Sequence, residues 1–300
     1  MADHLSDVIV FVEVARAGSF TLAADRLGLT KSAVSKTISR LEERLGDRLL
    51  TRSTRRLALT ASGDAYLASC VAALDILRDA EEALGGYEAS PKGRLRMDMP
   101  SAFGRRVLVP LLADLCLAHP ALQLTLSFTD RLIDPIEEGV DLVIRFGRTA
   151  DTSGLVAKTL VAFPHHICAS PAYLERRGTP EHLEDLDRHD CLVGSRRGAP
   201  LRWSVRKDGA DVRISPPPTH QIEDGEAIIA MAVAGLGLCQ MPAPLVRDQL
   251  ASGALVPVLE ASRGPDVPVQ AVWPGTRQAS PRVRFVVDRL AEHGRAGLLG

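Results

Sequence analysis

No stretch of 18 apolar residues occurs in the 300-residue chain, so no helix is expected to cross a membrane and no membrane partner is expected. Asp3 and Asp7 stand where an export leader would place cations ahead of an apolar segment, and the expected compartment is the cytoplasm. Cysteine is scarce. Cys70, Cys116, Cys168, Cys191 and Cys239 are odd in number, far apart and free of any CxxC pair, which excludes a disulfide framework. They are expected to be reduced thiols in apolar surroundings. His165-His166 and His189-Asp190-Cys191 hold metal-ligand residue types, but neither has a second cluster at metal-site spacing. Gly235-Leu236-Gly237 lacks the third glycine of a dinucleotide fingerprint, and Gly194-Ser195 lacks the second glycine of a nucleophile elbow, where Arg197 stands. No carboxylate pair is spaced for acid–base work. The chain therefore does not read as an enzyme, and no cofactor is expected.

What the chain does have is enough apolar matter, 46% of residues, to bury a large core in two or more domains. It also concentrates charge. Its net charge is −1, yet between Lys31 and Arg56 eight cations (Lys31, Lys36, Arg40, Arg44, Arg48, Arg52, Arg55, Arg56) face three anions (Glu42, Glu43, Asp47), a local balance of +5. A basic patch on a nearly neutral protein points to a polyanionic partner.

The patch lies on helices. Phe20, Ala23, Ala24 and Leu27 recur at helical spacing, and Gly28 stops that helix. Leu29 and Thr30 make a turn, and a second helix begins near Lys31. Val34, Ile38, Leu41 and Leu45 fall on one side of it, while Ser32, Ser35, Lys36, Ser39 and Arg40 fall on the other. Small hydroxyls allow close approach, and cations reach phosphates or base edges, which is what a helix in the major groove needs. Ahead of this pair, Leu5, Val8, Phe11, Val12 and Ala15 form a first helix ended by Gly18, with Ser19 as N-cap of the next. After Gly46, Leu49-Leu50 anchors a basic loop from Arg52 to Arg56, and Leu57 and Leu59 return to the core. Double-stranded DNA is the expected partner.

From Thr60, a candidate N-cap, to about Tyr87 the residues Leu67, Cys70, Leu74, Leu77, Glu81 and Leu84 step by 3 and 4, an a/d seam ended by Gly85-Gly86. Such a helix spans roughly 40 Å at 1.5 Å per residue. A narrow seam fits a partner helix better than a globular core, and a dimer would present two heads to two half-sites.

These residues resemble the winged helix-turn-helix of the LysR-type transcriptional regulators. The resemblance over residues 1–64 is carried by Phe11-Val12, Gly18-Ser19-Phe20-Thr21, Ala23-Ala24, Leu27, Ser32-Ala33-Val34-Ser35, Ile38, Leu41-Glu42, Leu45-Gly46, Leu49-Leu50, Arg52, Leu59-Thr60 and Gly63. Leu50 departs from the Phe that many members carry. By position, the resemblance implies that Thr30, Lys31, Ser32, Ser35 and Lys36 meet the DNA, with Arg52 and Arg55 in or near the wing. It implies that the long helix is a dimerisation linker, that the assembly is a homodimer or homotetramer, and that output includes contact with RNA polymerase.

Past a break at Ser90-Pro91-Lys92-Gly93 the pattern changes. Strands are expected at 95–99, 124–128 and 141–146, a helix at 103–118 and a short helix at 132–138. This alternation builds a mostly parallel sheet with helices on both faces. A second set runs from about 164 to 267: a strand at His166-Ile167-Cys168-Ala169, a helix after Pro171, a strand at Cys191-Leu192-Val193 and a helix from Asp224. Asp208-Gly209 marks a hairpin between Trp203-Val205 and Val212-Ile214. Val267 to Trp273 returns as a strand, and a helix at 281–293 closes the chain.

That order resembles the effector region of the same family, two α/β subdomains around a cleft like that of periplasmic binding proteins. The expected fold is α/β: a winged helix-turn-helix (1–60), a linker helix (61–90) and an effector-binding domain (91–300). Within the last, 91–163 with 268–300 would form subdomain I and 164–267 subdomain II, with crossovers near Phe163-Pro164 and Val267-Pro268. Ligands of open α/β sheets sit beyond the carboxyl ends of the strands. Those ends give Ser101, Phe103, Thr129, Arg145, Ser195 and Asp224 as effector-binding candidates, with Asp130 beside Thr129. Ser101 opens a helix whose free N–H groups favour an anion, and Arg145 suits a carboxylate, so a small acidic effector is expected. Two alternatives stay open: a small-molecule binding protein without DNA function, and a redox-sensing regulator.

Overall fold

The computed structural model describes residues 2–52, 57–84, 91–148, 154–196, 198–275 and 279–300. They form two compact units, Met1–Tyr87 and Glu88–Gly300. None of the described helices is long and apolar enough to cross a membrane.

The first unit packs α1 (Ala2–Ala17), α2 (Phe20–Leu27) and α3 (Lys31–Leu45) around Phe11, Ala23, Val34, Ile38 and Leu41. Ser19 caps α2 by accepting from Leu22 N, and Gly28 ends it at φ 65°, a left-handed conformation that a glycine adopts without cost. The buried face of α1 is Val10, Phe11, Val12 and Val14 rather than a stripe that includes Leu5, which is 43% exposed. Leu45 likewise leaves the core at 41% exposure. Strands β1 (Leu50–Arg52) and β2 (Leu57–Leu59) pair antiparallel with Leu50 opposite Leu59. The loop between them, with Arg55, lies outside the described residues.

Helix α4 (Ala61–Leu84) begins where expected: Thr60 Oγ1 accepts from Gly63 N at 2.9 Å. Its seam divides. Leu67, Cys70 and Leu74 pack on the core of their own unit, so this part of the heptad is used internally. Leu77 is exposed. Gly85-Gly86 and the side chains of Glu81 and Leu84 lie outside the described residues.

The second unit carries two mixed sheets. Its chain order is β3 (Gly93–Met99), α5 (Ser101–Phe103), a π-helical stretch Gly104–Leu108, α6 (Val109–Ala118), β4 (Leu122–Phe128), β5 (Leu142–Phe146), β6 (Leu155–Phe163), β7 (His165–Ala169), α7 (Pro171–Arg177), β8 (Cys191–Arg196) and β9 (Ala199–Pro200). There follow β10 (Trp203–Lys207), β11 (Ala210–Ile214), β12 (His220–Ile222), α8 (Gly225–Val233), β13 (Leu238–Pro242), α9 (Ala243–Ala251), β14 (Val256–Val258), β15 (Val267–Pro274) and α10 (Pro281–Arg295). One sheet has the order β4-β3-β5-β15-β6 and the other β12-β8-β13-β7-β14, with β9 beside β8. Sequence patterning predicts mostly parallel sheets. The pairs β3–β4, β3–β5, β8–β12 and β8–β13 are parallel, but β15 runs antiparallel to β5 and β6, and β7 antiparallel to β13 and β14. The reversed strands are those entering from the crossovers at Phe163-Pro164 and Val267.

The helix expected at 132–138 is a hydrogen-bonded turn. Asp134 Oδ1 accepts from Ile136 N at 2.8 Å, and Gly139 at φ 63° ends it after one turn. The Asp208-Gly209 hairpin forms with Lys207 opposite Ala210, both turn residues at positive φ. One apolar cluster joins Phe103, Leu108 and Leu112 to Ile228, Ala232, Met241 and Leu245, so the faces of both sheets share a core.

Candidate functional site

On α3 the burial pattern separates a core-facing side from an exposed one. Val34, Ile38 and Leu41 are fully buried, Lys31, Ser32 and Lys36 are exposed, and Ser35 is partly so. Thr30 caps the helix: its Oγ1 accepts from Ala33 N at 3.2 Å and lies 3.1 Å from Ser32 Oγ. Two cations of the patch serve the fold. Arg40 is ion-paired with Asp7, a carboxylate only 2% exposed, and Arg44 lies 3.8 Å from the same group, which clamps α3 to α1. Glu42, an anion within the patch, accepts from Leu49 N at 2.9 Å and Leu50 N at 3.0 Å and so fixes the start of the wing. Arg52 ends β1 opposite Leu57.

In the second unit, four of the six effector candidates surround a cavity of about 280 Å³: Ser101, Thr129, Ser195 and Asp224. A smaller cavity of about 60 Å³ adjoins it and is lined by Thr129 and Arg145. Phe103 lines neither. It is fully buried, with its ring 5.1 Å from Phe146 and 6.0 Å from Phe163. Sequence reasoning missed Asp98, Arg131, Arg196 and Glu223, which also line these cavities. Arg196 had a usable signal, since it follows Ser195 at a strand end. Asp98 alternates with Arg94 and Arg96 along its strand, a pattern that reads as a solvated face.

The expectation of an anion at the helix start beside Ser101 needs correction. Asp130 Oδ1 already accepts from Ser101 N at 3.3 Å, so the protein's own carboxylate takes that place. Burial raises the Asp130 pKa, and the nearby Asp224 carboxylate adds to the rise. Asp98 is raised by burial too, while Ser127 Oγ (2.6 Å) and Thr129 Oγ1 (3.1 Å) donate to it. Asp224 caps α8 by accepting from Ala227 N at 2.8 Å, and Arg105 lies 3.9 Å away. The π-helical stretch aims Arg106 at the same helix, where its Nε and Nη2 hold Glu226 at 2.8 and 2.6 Å.

Arg145 differs from these satisfied groups. Its Nε and Nη2 are buried and meet no hydrogen-bond acceptor among the described residues. Burial, then the neighbouring Arg196 guanidinium, lowers its pKa. An unpaired buried guanidinium edge is costly and is stabilised by an arriving acceptor.

Cys168 and Cys239 face each other across β7 and β13 with sulfurs 3.6 Å apart, a pairing that sequence spacing did not show. The shared hydrogen bond and burial raise the Cys239 thiol well above its ordinary value, and burial pushes Cys191 up to about 12. Thiolate is therefore scarce at Cys239 and Cys191, which does not favour redox sensing there. Iodoacetamide is expected to leave Cys168, Cys191 and Cys239 unmodified in the folded protein and to label them after unfolding. Mass spectrometry reads the difference, and rapid labelling of the native pair would contradict it.

Burial also lowers the pKa of His165, at the β6–β7 crossover, to about 4. Its unfolded value is near 6.5, so the neutral ring stabilises the unit above that pH, and the contribution is lost as pH falls from 6.5 toward 4. The full difference is about 3 kcal/mol. His165→Leu is expected to flatten the fall in melting temperature across this window. An unchanged slope would assign it to other groups.

Residues 5–64 match the family "Bacterial regulatory helix-turn-helix protein, lysR family", and residues 88–295 match "LysR substrate binding domain". An HTH-type transcriptional repressor of Pseudomonas aeruginosa is 36% identical over 97% of this chain and 92% of its own length. The solved structure of CrgA, a LysR-type transcriptional regulator from Neisseria meningitidis, is 34% identical with a TM-score of 0.61, covering 96% of this chain and 98% of that one. The full-length Vibrio cholerae virulence activator AphB is 26% identical with a TM-score of 0.57, covering 96% and 98%. With a reading helix on one unit and a two-sheet cavity in the other, this chain belongs to the LysR family of DNA-binding transcriptional regulators.

Proposed function

We propose that this regulator works as a homo-oligomer whose paired heads grip an interrupted inverted repeat, and that a small carboxylate in the effector unit sets its output. The observation that carries the DNA assignment is the division of α3, with three side chains fully buried beneath exposed Lys31, Ser32 and Lys36. Lys31, Ser32, Ser35 and Lys36 are assigned to base edges and adjacent phosphates, and Arg52 and Arg55 to the wing's backbone contacts. Residues 1–60 act as the head, 61–90 as the dimerising linker and 91–300 as the effector domain. Its lobes are 91–163 with 268–300, and 164–267. Binding in the cavity shifts the relation of the lobes, and the assembly passes this on through head spacing, DNA bending or polymerase contact. The effector must bind two assembly states with different affinity.

Genome-wide mapping of bound fragments at about 0.15 M salt tests the DNA assignment. A small set of sites sharing an interrupted inverted repeat is expected, and diffuse binding that vanishes with added salt would overturn it. Lys31→Ala is expected to reduce discrimination between cognate and random DNA. Arg55→Ala is expected to weaken binding to all sequences and to lower the salt slope by about 1. Equal losses on both DNAs for Lys31→Ala would remove Lys31 from the base-reading set.

A further inference from the structure

The two cavities share Thr129, Asp130, Arg131 and Arg196 and so form one divided space. Asp130, Arg131 and Arg196 line both ends, Arg145 and Asp98 only the narrow end, and Glu223 and Asp224 only the wide one. At the narrow end Arg145 presents Nε and Nη2, one edge of the guanidinium, without an acceptor, and Arg196 lies close enough to disfavour its charge. That edge has the geometry that takes a carboxylate through two parallel N–H···O bonds. Arg196 Nε donates to the Asp130 carbonyl at 3.2 Å. At the wide end Asp130, Glu223 and Asp224 bring carboxylates together. The Asp224 carboxylate is near enough to oppose ionisation of Asp130, and Arg105 lies 3.9 Å from Asp224. Arg131 is occupied by Glu138 at 2.9 Å. A simple carboxylate would relieve the narrow end and add to the repulsion at the wide one.

We propose that the effector is an aminocarboxylate, with its carboxylate on the Nε–Nη2 edge of Arg145 beside Arg196 and its ammonium group among Asp130, Glu223 and Asp224. This assignment rests on the carboxylate reading above and narrows it. A ligand with both charges satisfies each end, and it spans two sheets whose strands supply Arg145 (β5) and Arg196 (β8).

The test is calorimetric titration of the full-length protein at pH 7 with the twenty standard L-amino acids and the ω-aminocarboxylates from 4-aminobutyrate to 6-aminohexanoate. Each binder is compared with its desamino carboxylate and its decarboxylated amine. The expected result is one or more binders for which both truncated analogues lose at least tenfold in affinity, with Asp130→Asn losing a similar factor and Arg145→Gln abolishing binding. A desamino carboxylate that binds as well as its parent overturns the aminocarboxylate assignment but leaves the carboxylate reading standing. An amine that binds as well as its parent overturns both, as does a failure of every aminocarboxylate and carboxylate to bind. The analogue comparison on the unmodified protein decides the matter even if a variant fails to fold.

Discussion

Gly63→Ala is expected to abolish specific DNA binding while leaving the tryptophan fluorescence of the effector unit unchanged. A Cβ at position 63 would lie 2.0 Å from the Leu49 carbonyl oxygen and 2.9 Å from its carbon. Neither backbone is free to move. Leu49 N donates to Glu42, Thr60 Oγ1 donates to the Arg48 carbonyl at 2.6 Å, and Thr60 in turn caps the helix that contains Gly63. Relief requires prising the start of α4 away from the wing, with Leu49 and Leu50 losing their place in the core. Overpacking against fixed backbone costs about 3 kcal/mol. For a unit of this size that is a fall in melting temperature of roughly 12 °C or more. Both tryptophans, Trp203 and Trp273, belong to the other unit, so calorimetry and DNA binding should change while fluorescence-detected unfolding does not. Gly28→Ala is the control. The φ of 65° is strained for alanine, but its Cβ meets nothing within 4 Å, and a loss of about 1 kcal/mol is expected. If Gly63→Ala melts within a few degrees of the parent protein, the junction of α4 and wing is looser than these contacts imply.

The head was legible because local rules set it. The Ser19 and Thr30 caps, the Gly28 and Gly46 stops and the stripe of Val34, Ile38 and Leu41 all follow from positions a few residues apart. Periodicity names a face but not where the face ends. Leu5 and Leu45 continue their stripes by spacing and yet are exposed. The seam on α4 has a related ambiguity, since a stripe at Leu67, Cys70 and Leu74 reads the same whether a partner helix or the head's own core covers it. The effector site was half legible. Strand ends placed Ser101, Thr129, Ser195 and Asp224 at the cavity, yet Asp130 occupies the anion position expected at Ser101. The cause is non-local: β4 runs parallel to β3 and delivers Asp130 to the start of α5. Arg196 joined the site with Ser195, its neighbour at the same strand end.

Gly237→Ala is the counterpart in the effector unit and carries the second large effect. Gly235-Leu236-Gly237 is a structural turn: Gly235, at φ 83°, follows α8, and Gly237 lies against the chain entering β8. A Cβ at 237 would meet the Asp190 carbonyl oxygen at 2.4 Å and its carbon at 3.0 Å. That peptide is held on both sides. The Asp190 carbonyl accepts from Leu238 N at 2.9 Å, and Asp190 N donates to the hydroxyl of buried Tyr173 at 2.8 Å. Alanine must therefore break the junction where Leu238 of β13 pairs with Cys191 of β8. A cost of about 3 kcal/mol corresponds here to roughly 6–12 °C in melting temperature, because a larger unit shifts less per kcal/mol. Trp203 packs in the same cluster as Leu238 and Cys191, so its fluorescence reports the change directly. Ser195 sits four residues along β8 at the larger cavity, and loosening this junction is expected to weaken effector binding as well as stability. Gly235→Ala, whose Cβ comes no nearer than 3.4 Å to any atom, should cost about 1 kcal/mol for its positive φ alone. Equal melting of the two variants would mean that the close approach at 237 relaxes freely. The Asp190 peptide would then not be the fixed point that orders β8 beneath the cavity.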